Sequence, residues 1–331
     1  MNLAAHVKAR IKSRLERAVK SAAREEIRDL LPLMPQLVEF QKSPVTDRQS
    51  YYDHTKDPQG NLAVYAGLKD RLRSLNIPVE DVDIDIVDFE RWCKRTGRLK
   101  HHYRRDGTET MHRCLQHYLV SRILKIGPGD VYIDVGAQNS PFAEILNRRG
   151  VRAYRLDVAY AQGIRGIDIG ADGADTKLPD GFASVLSIQD AFQHFAGDAD
   201  TRFVKEAARV LNGNGRFGII PLYVDESSFV AVNPFCDIRR LPRDPDAKMV
   251  WREDGVEVDF SRCYSPESFQ RRIYAHVPQT MAGRVLYFRN LGEVMQRYPG
   301  QTIYSFFMFY CERSAPTGKG PRDDSRRLVK V

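Results

Sequence analysis

Hydrophobic positions recur at two different spacings along this chain, and the change from one to the other divides it. Near the start, Leu3, Val7, Ile11, Leu15 and Val19 stand at four-residue steps and Ala22 three further on, with Lys and Arg between them. That spacing predicts a basic amphipathic helix over residues 2–31, ended by Pro32 and Pro35. A Pro-, Asp-, Ser- and Gln-rich loop follows over 43–60, then a helix over Leu62–Leu75 that stops near Asn76 and Pro78. From Asp81 to Phe89 acids alternate with aliphatic residues, which suits a half-buried strand. Asp88 can equally cap a helix starting at Phe89, so both readings stand.

From Thr110 the pattern becomes helix and strand in alternation. A helix over Thr110–Leu124 and a turn at Gly127-Pro128-Gly129 lead into a strand at Val131–Val135, then Gly136 and a helix opened by Pro141. Further strands are predicted at Val151–Leu156, which ends in Asp157, and at Ala183–Ile188. A helix over Asp198–Leu211 stops at Asn212-Gly213-Asn214-Gly215, and a strand runs over Arg216–Val224. Ser265-Pro266-Glu267 opens another helix, and Arg284–Phe288 and Thr302–Cys311 close as strands. This order predicts an α/β fold, an open sheet covered on both faces. Three regions result: a mainly helical accessory region over 1–109, the sheet domain over 110–313, and a disordered tail over 314–331. Residues 225–262 carry Phe229, Phe235, Trp251 and Phe260 and read as an inserted substrate lid or a structural flap.

Composition narrows the class. With 331 residues, 42% hydrophobic and 28% charged, the chain has the make-up of an ordinary globular protein, which excludes disorder or fibrous repeats for its bulk. Its longest uncharged runs, such as Gln301–Cys311, fall well short of the ~18 residues a membrane-spanning helix needs. No apolar block follows the basic N-terminus, so a secretory signal is not indicated and the expected location is the cytoplasm, with peripheral membrane contact through residues 2–31 open. The five cysteines form no C-x-x-C pair, and His101, His102, His112 and His117 lack ligand spacing, so no metal site is expected. Between Arg91 and Lys125 ten basic residues face two acids. Trp92, Tyr103 and Tyr118 interleave with them, a combination that can contact phosphate and stack a base. No recognised RNA-binding module accompanies the run, and a basic rim for an anionic small molecule or glycan reads equally well.

In open α/β sheets ligands bind beyond the carboxyl ends of the strands. Gly136 follows the first sheet-domain strand, Asp157 ends the second, placed to accept both hydroxyls of a ribose, and Asp172 follows the third and can accept an amino N–H. Together they describe a nucleoside pocket.

Gly129–Leu146, Tyr154–Asp157 and above all Leu178–Gly215 resemble a class I S-adenosylmethionine-dependent methyltransferase of the "type 11" small-molecule branch. The most specific stretch reads Leu178-Pro179-Asp180-Gly181-Phe182-Ala183, Ser187 to His194-Phe195, and Phe203 to Leu211 followed by Gly213-Asn214-Gly215. The resemblance covers about residues 110–313 and implies a Rossmann-like, mostly parallel sheet whose last strand is antiparallel, with S-adenosyl-L-methionine as cofactor. It also implies roles: Asp134 and Gly136 beside the methionine part, Asp157 on the ribose, Asp172 on the adenine amino group, Gln189 near the transferred methyl. Where the family has three glycines in its turn, this chain has Gly136, Gln138 and Ser140. Gln138 either crowds the methionine carboxylate or donates to it. The same missing glycines argue against a nicotinamide enzyme, whose pyrophosphate needs G-x-G-x-x-G. His194 is the candidate base for a hydroxyl acceptor, beside the reading in which it only shapes the pocket. The expectation is O-methylation of a small-molecule or glycan-linked acceptor; a non-catalytic scaffold of the same fold and an RNA methyltransferase are the rivals.

Overall fold

The computed structural model of the chain describes residues 57–232, 246–251, 260–314 and 329–330. The expected helix over 2–31, the loop up to residue 56, Cys236 and most of the tail lie outside the described residues.

Helix α1 (Leu62–Ser74) buries Tyr65, Leu68 and Leu72 on one face. The alternating segment after it resolves into both of the structures its sequence allowed. Strand β1 (Val79–Asp83) comes first, and helix α2 (Ile86–Arg95) starts three residues earlier than Phe89. Its cap is Asp85, which accepts from the Asp88 backbone N–H at 2.9 Å. Helix α3 (Gly97–Tyr103) and a short 3-10 turn lead into α4 (Thr110–Ile123), which is buried on almost every side from Thr110 to Val120. Phe89 and Trp92 of α2 pack their rings on Tyr118 of α4 at 5.2 and 5.8 Å.

The sheet domain continues with β2 (Val131–Val135), α5 (Phe142–Asn147), β3 (Arg152–Arg165), β4 (Asp168–Gly170), β5 (Ala183–Gln189), α6 (Ala199–Val210) and β6 (Leu211–Ile220). An inserted sheet of β7 (Phe229–Val232), β8 (Lys248–Trp251) and β9 (Phe260–Cys263) follows, and then α7 (Pro266–Arg272), β10 (Met281–Phe288), α8 (Leu291–Arg297), β11 (Phe307–Arg313) and β12 (Val329–Lys330). The main sheet runs β12-β1-β10-β11-β6-β5-β2-β3-β4. Strands β4, β3, β2, β5 and β6 are mutually parallel, and β11 lies antiparallel between β6 and β10. This is the Rossmann-like sheet with its last strand reversed. Strand β1 adds to it alongside β10, in parallel, although residues 1–109 read as a mainly helical accessory region. β3 also outruns its predicted end: residues 162–165 turn back and pair with β4 a second time, forming an arm beyond Asp157.

The core forms because both faces of the central strands are apolar and covered. Ile133, Val135, Leu186 and Ile188 are essentially sealed, with α6 supplying Phe203, Val204 and Ala207 on one side. Phe203 and Phe217 meet edge to face at 5.8 Å.

Candidate functional site

From β2 the chain moves out to β3 and β4, then returns across to β5 and β6, so the strand order reverses between β2 and β5. The crevice at a reversal is where open α/β sheets hold their ligands. Alternation along the strands puts Tyr132 and Asp134 on one face of β2, and the pairing of Asp134 with Ser187 puts Ser187 and Gln189 on the same face of β5. These four side chains form a closed polar cluster. Tyr132 Oη lies 2.6 Å from Ser187 Oγ, and Gln189 Nε2 donates to Asp134 Oδ1 at 3.1 Å and to Tyr132 Oη at 3.3 Å. Ser187 Oγ donates to Asp134 Oδ1 at 3.4 Å. Asp134 is only 2% exposed. Burial pushes its carboxyl up to about 7 despite hydrogen bonds from Gln189, Ser187, Tyr132 and Ser140, all of them uncharged. Gln189 Oε1 is buried beside it with no hydrogen-bond partner.

The turn after β2 explains how the chain manages without the second and third glycines. Gly136 takes φ +70° and Gln138 φ +43°, so the glutamine adopts the left-handed conformation a glycine would supply. Its backbone N–H donates to Asp157 Oδ2 at 2.9 Å, which holds the strained turn in place. Gly136 itself is needed for a protein contact: a Cβ there would stand 2.5 Å from the Cβ of Ala191, in the loop after β5. Its expected approach to a ligand is therefore shared with Ala191. Asp157, 7% exposed, accepts the Ala159 N–H on its other oxygen at 2.9 Å and so joins the turn to the β3 arm. Each oxygen keeps a lone pair for a further donor.

Beyond Asp157 the arm and the segment after β4 enclose a cavity of about 480 Å³, lined among others by Val158, Tyr160, Ile164, Gly170, Asp172 and Leu178. Val158 and Ile164 are 75% and 48% exposed, an apolar rim without protein cover. The Tyr160 hydroxyl is buried there with no hydrogen-bond partner. Asp172 is exposed and uses one oxygen to accept the Ala174 N–H at 2.9 Å.

The structure thus brings Asp134, Gly136, Gln138, Asp157 and Gln189 to one crevice, with Asp172 at the adjoining cavity. His194 lies on another side. Its Nδ1 is 3.4 Å from Ser261 Oγ on β9 and its Nε2 3.2 Å from Gln193 Nε2, so it faces the inserted sheet. Asp190, next in the chain after Gln189 and at φ +54°, accepts from Gln193 Nε2 at 3.1 Å and from Tyr223 Oη at 2.5 Å and pairs with Arg113.

Sequence reading placed Ser140 in the turn but did not find Tyr132, Ser187, Tyr103 or His117 as members of the site. Period-two alternation in β2 and β5 carried the signal for the first two. Tyr103 and His117 arrive from α3 and α4, and only tertiary packing brings them to the turn: Tyr103 Oη lies 2.8 Å from His117 Nε2 and 3.3 Å from Ser140 Oγ. Among the aromatics of the basic run, Trp92 and Tyr118 are 3% and 0% exposed, so they are core residues and not stacking platforms, which corrects that expectation.

No family model matches this chain, and comparison with curated proteins finds none that matches. Solved structures that it resembles include a 1,6-didemethyltoxoflavin-N1-methyltransferase of Burkholderia thailandensis with bound 1,6-didemethyltoxoflavin and S-adenosylhomocysteine, at 12% identity over 61% of this chain and 77% of that one, TM-score 0.39. An S-adenosylmethionine-dependent methyltransferase of Mesorhizobium loti aligns at 15% identity over 59% of this chain and 96% of that one, TM-score 0.39. One of Aquifex aeolicus aligns at 13% identity over 60% and 88%, TM-score 0.34. Among the described residues no helix is long and apolar enough to cross a membrane.

Proposed function

We propose that this chain is an S-adenosylmethionine-dependent methyltransferase acting on a small-molecule or glycan-linked hydroxyl. The observation that carries the reading is the placing, at the reversal of strand order, of a buried carboxylate cluster on β2 and β5 beside the turn that Asp157 holds, with an open, apolar-rimmed cavity beginning at the next residue, Val158. The residues fit the cofactor chemically. Asp134 has only uncharged partners and Gln189 Oε1 is an orphaned acceptor, so the cluster is short of a cationic donor such as an α-ammonium. The cavity beside Asp172 and Leu178 suits a flat ring with an amino edge.

When bound, S-adenosylmethionine supplies a methyl on a sulfonium, open to in-line attack. The protein's part is to orient and to exclude water. Asp134 and Gln189 hold the amino-acid end, Asp157 accepts ribose hydroxyls through its remaining lone pairs, and Asp172 takes the adenine amino group. His194, outside the crevice and facing the inserted sheet, is the base this reading assigns to an acceptor hydroxyl that enters from there. In this reading residues 110–313 carry the chemistry, and α1 to α3 cover it. The burial of Trp92 and Tyr118 removes support from the RNA alternative.

Calorimetric titration with S-adenosylmethionine and S-adenosylhomocysteine tests the reading. Micromolar binding by the native chain, lost in Asp157→Ala, is the expected result. No binding by the native chain overturns it and favours the scaffold. For His194→Gln, kcat falls and the acidic limb of its pH profile disappears while KM for the cofactor holds.

A further inference from the structure

We propose that Tyr103, from the helical layer outside the sheet, is a positioning residue of this site: it links His117 to Ser140 in a one-way chain of hydrogen bonds that ends on the Asp134 carboxylate and holds it for the ligand's α-ammonium. The inference rests on the reading above.

The direction of the chain follows from one orphaned atom. His117 is 3% exposed, and burial, with Arg113 and His102 adding to it, pushes its imidazole down to about 3, so it is neutral and carries one N–H and one lone pair. Its Nδ1 is buried without a partner, while Nε2 is 2.8 Å from Tyr103 Oη. A buried N–H left unpaired is more costly than an unpaired lone pair, so the proton is assigned to Nε2, which donates to Tyr103. Tyr103 Oη then donates to Ser140 Oγ at 3.3 Å, and the same oxygen accepts the Phe142 N–H at 3.3 Å, which leaves the Ser140 proton to face Asp134, whose carboxyl Ser140 helps to hold down. Gln189 and Ser187 donate to the same carboxylate from the opposite side. Gln189, Ser187 and Ser140 turn protons toward Asp134, and none of them brings a positive charge.

The charged and titratable groups around the cluster are otherwise committed. From α4, Arg113 faces Tyr103 but pairs with Asp190, with Asp106 and Glu109 at 3.7 and 3.6 Å. From β2, Tyr132 is held protonated by burial. From the β3 arm, Tyr160 has its hydroxyl raised chiefly by burial and partly by Asp134, and Asp157 is bound to two backbone amides. A cation on the ligand is what the carboxylate lacks. With the chain intact it can stay ionised for that cation; with a link removed it holds its proton more firmly.

The test compares two ligands that share the nucleoside and differ in the amino-acid arm: S-adenosylhomocysteine and 5′-methylthioadenosine, titrated into the native chain and Tyr103→Phe across about pH 5–9. In Tyr103→Phe, which removes a neutral hydrogen bond one link away from the carboxylate, S-adenosylhomocysteine is expected to bind about threefold to tenfold more weakly at neutral pH. The midpoint of its pH dependence moves upward, and 5′-methylthioadenosine binds as before. Ser140→Ala, which cuts the same chain one link on, must give the same pattern, so misfolding of one variant does not decide the matter. Equal loss of both ligands, or no change in either, overturns the positioning role while leaving the cofactor reading intact. If neither ligand binds the native chain, the reading fails and the inference with it.

Discussion

Two aspartates lie equally deep in this molecule and are treated in opposite ways. Asp200, at the start of α6 and fully buried, receives Arg262 at 2.9 Å, both Nε and Nη2 of Arg272 at 2.9 and 2.8 Å, and the Tyr264 hydroxyl at 2.8 Å. Asp134, 2% exposed, has hydroxyls and an amide and no guanidinium. A buried carboxylate is retained when it is paired, and the Asp200 network pins β9, and with it the inserted sheet, to α6 and α7. Leaving Asp134 unpaired destabilises the fold, and such a group persists where a ligand supplies the missing charge. The contrast separates a structural acid from a functional one without reference to any relative.

The largest effect should come from Asp200→Ala, which takes away the carboxylate shared by the buried Arg262 and the partly buried Arg272. Denaturant unfolding should show a loss of about 3–5 kcal/mol, and a loss no larger than that of a surface residue would remove the contrast. Asp134→Asn should behave differently, and its effect should depend on pH. Burial pushes the Asp134 carboxyl up to about 7 in the folded chain, against the usual 3.8 of an aspartate. Between those values the folded chain keeps a proton that the unfolded chain has released, so native stability falls as pH rises through this window and levels off above it. The asparagine lacks that fall, so unfolding midpoints of variant and native chain should diverge from mildly acidic to neutral pH; a constant difference would refute the assignment. Ser187→Ala removes one donor to Asp134 but leaves Gln189, and should lower stability by about 1 kcal/mol while weakening S-adenosylhomocysteine binding more than 5′-methylthioadenosine binding. Arg202→Ala, which breaks an exposed one-turn pair with Asp198, should leave both midpoint and binding where they are.

Much of the sheet domain was legible. β2 and β5 are short, largely aliphatic runs between turns, buried on both faces, whose few polar positions share one face. The cap at Ser265 and the proline after it marked the start of α7, where Ser265 indeed accepts the Ser268 N–H at 3.2 Å. β1 was ambiguous because two of its acids are satisfied by partners about two hundred residues away, Asp83 by Arg289 and Glu80 by Arg284, while Asp81 pairs with Arg73 of the preceding helix. Nothing local shows that an acidic strand will have cations brought to it. The β3 arm lacks alternation and packs on β4 through Gly170, where a Cβ would lie 2.2 Å from the Ala161 carbonyl. For the site, the strand-end acids could be located by position, whereas Tyr103 and His117 belong to helices whose placement depends on the whole fold.

The position of β1 also bears on how the chain can assemble. Val285 donates its N–H to the Pro78 carbonyl at 2.8 Å, and Asn290 bonds the backbone of Ile84 across 206 positions of sequence. Such a contact closes only after an excursion of about two hundred residues, and loop-closure entropy makes it a late event in folding. A truncated chain beginning at Thr110 would therefore do more than shed an appendage. It would bare the outer rim of β10 as an open edge, and two such molecules would be free to zip together there. The front of the chain thus acts as the sheet's own guard against self-association.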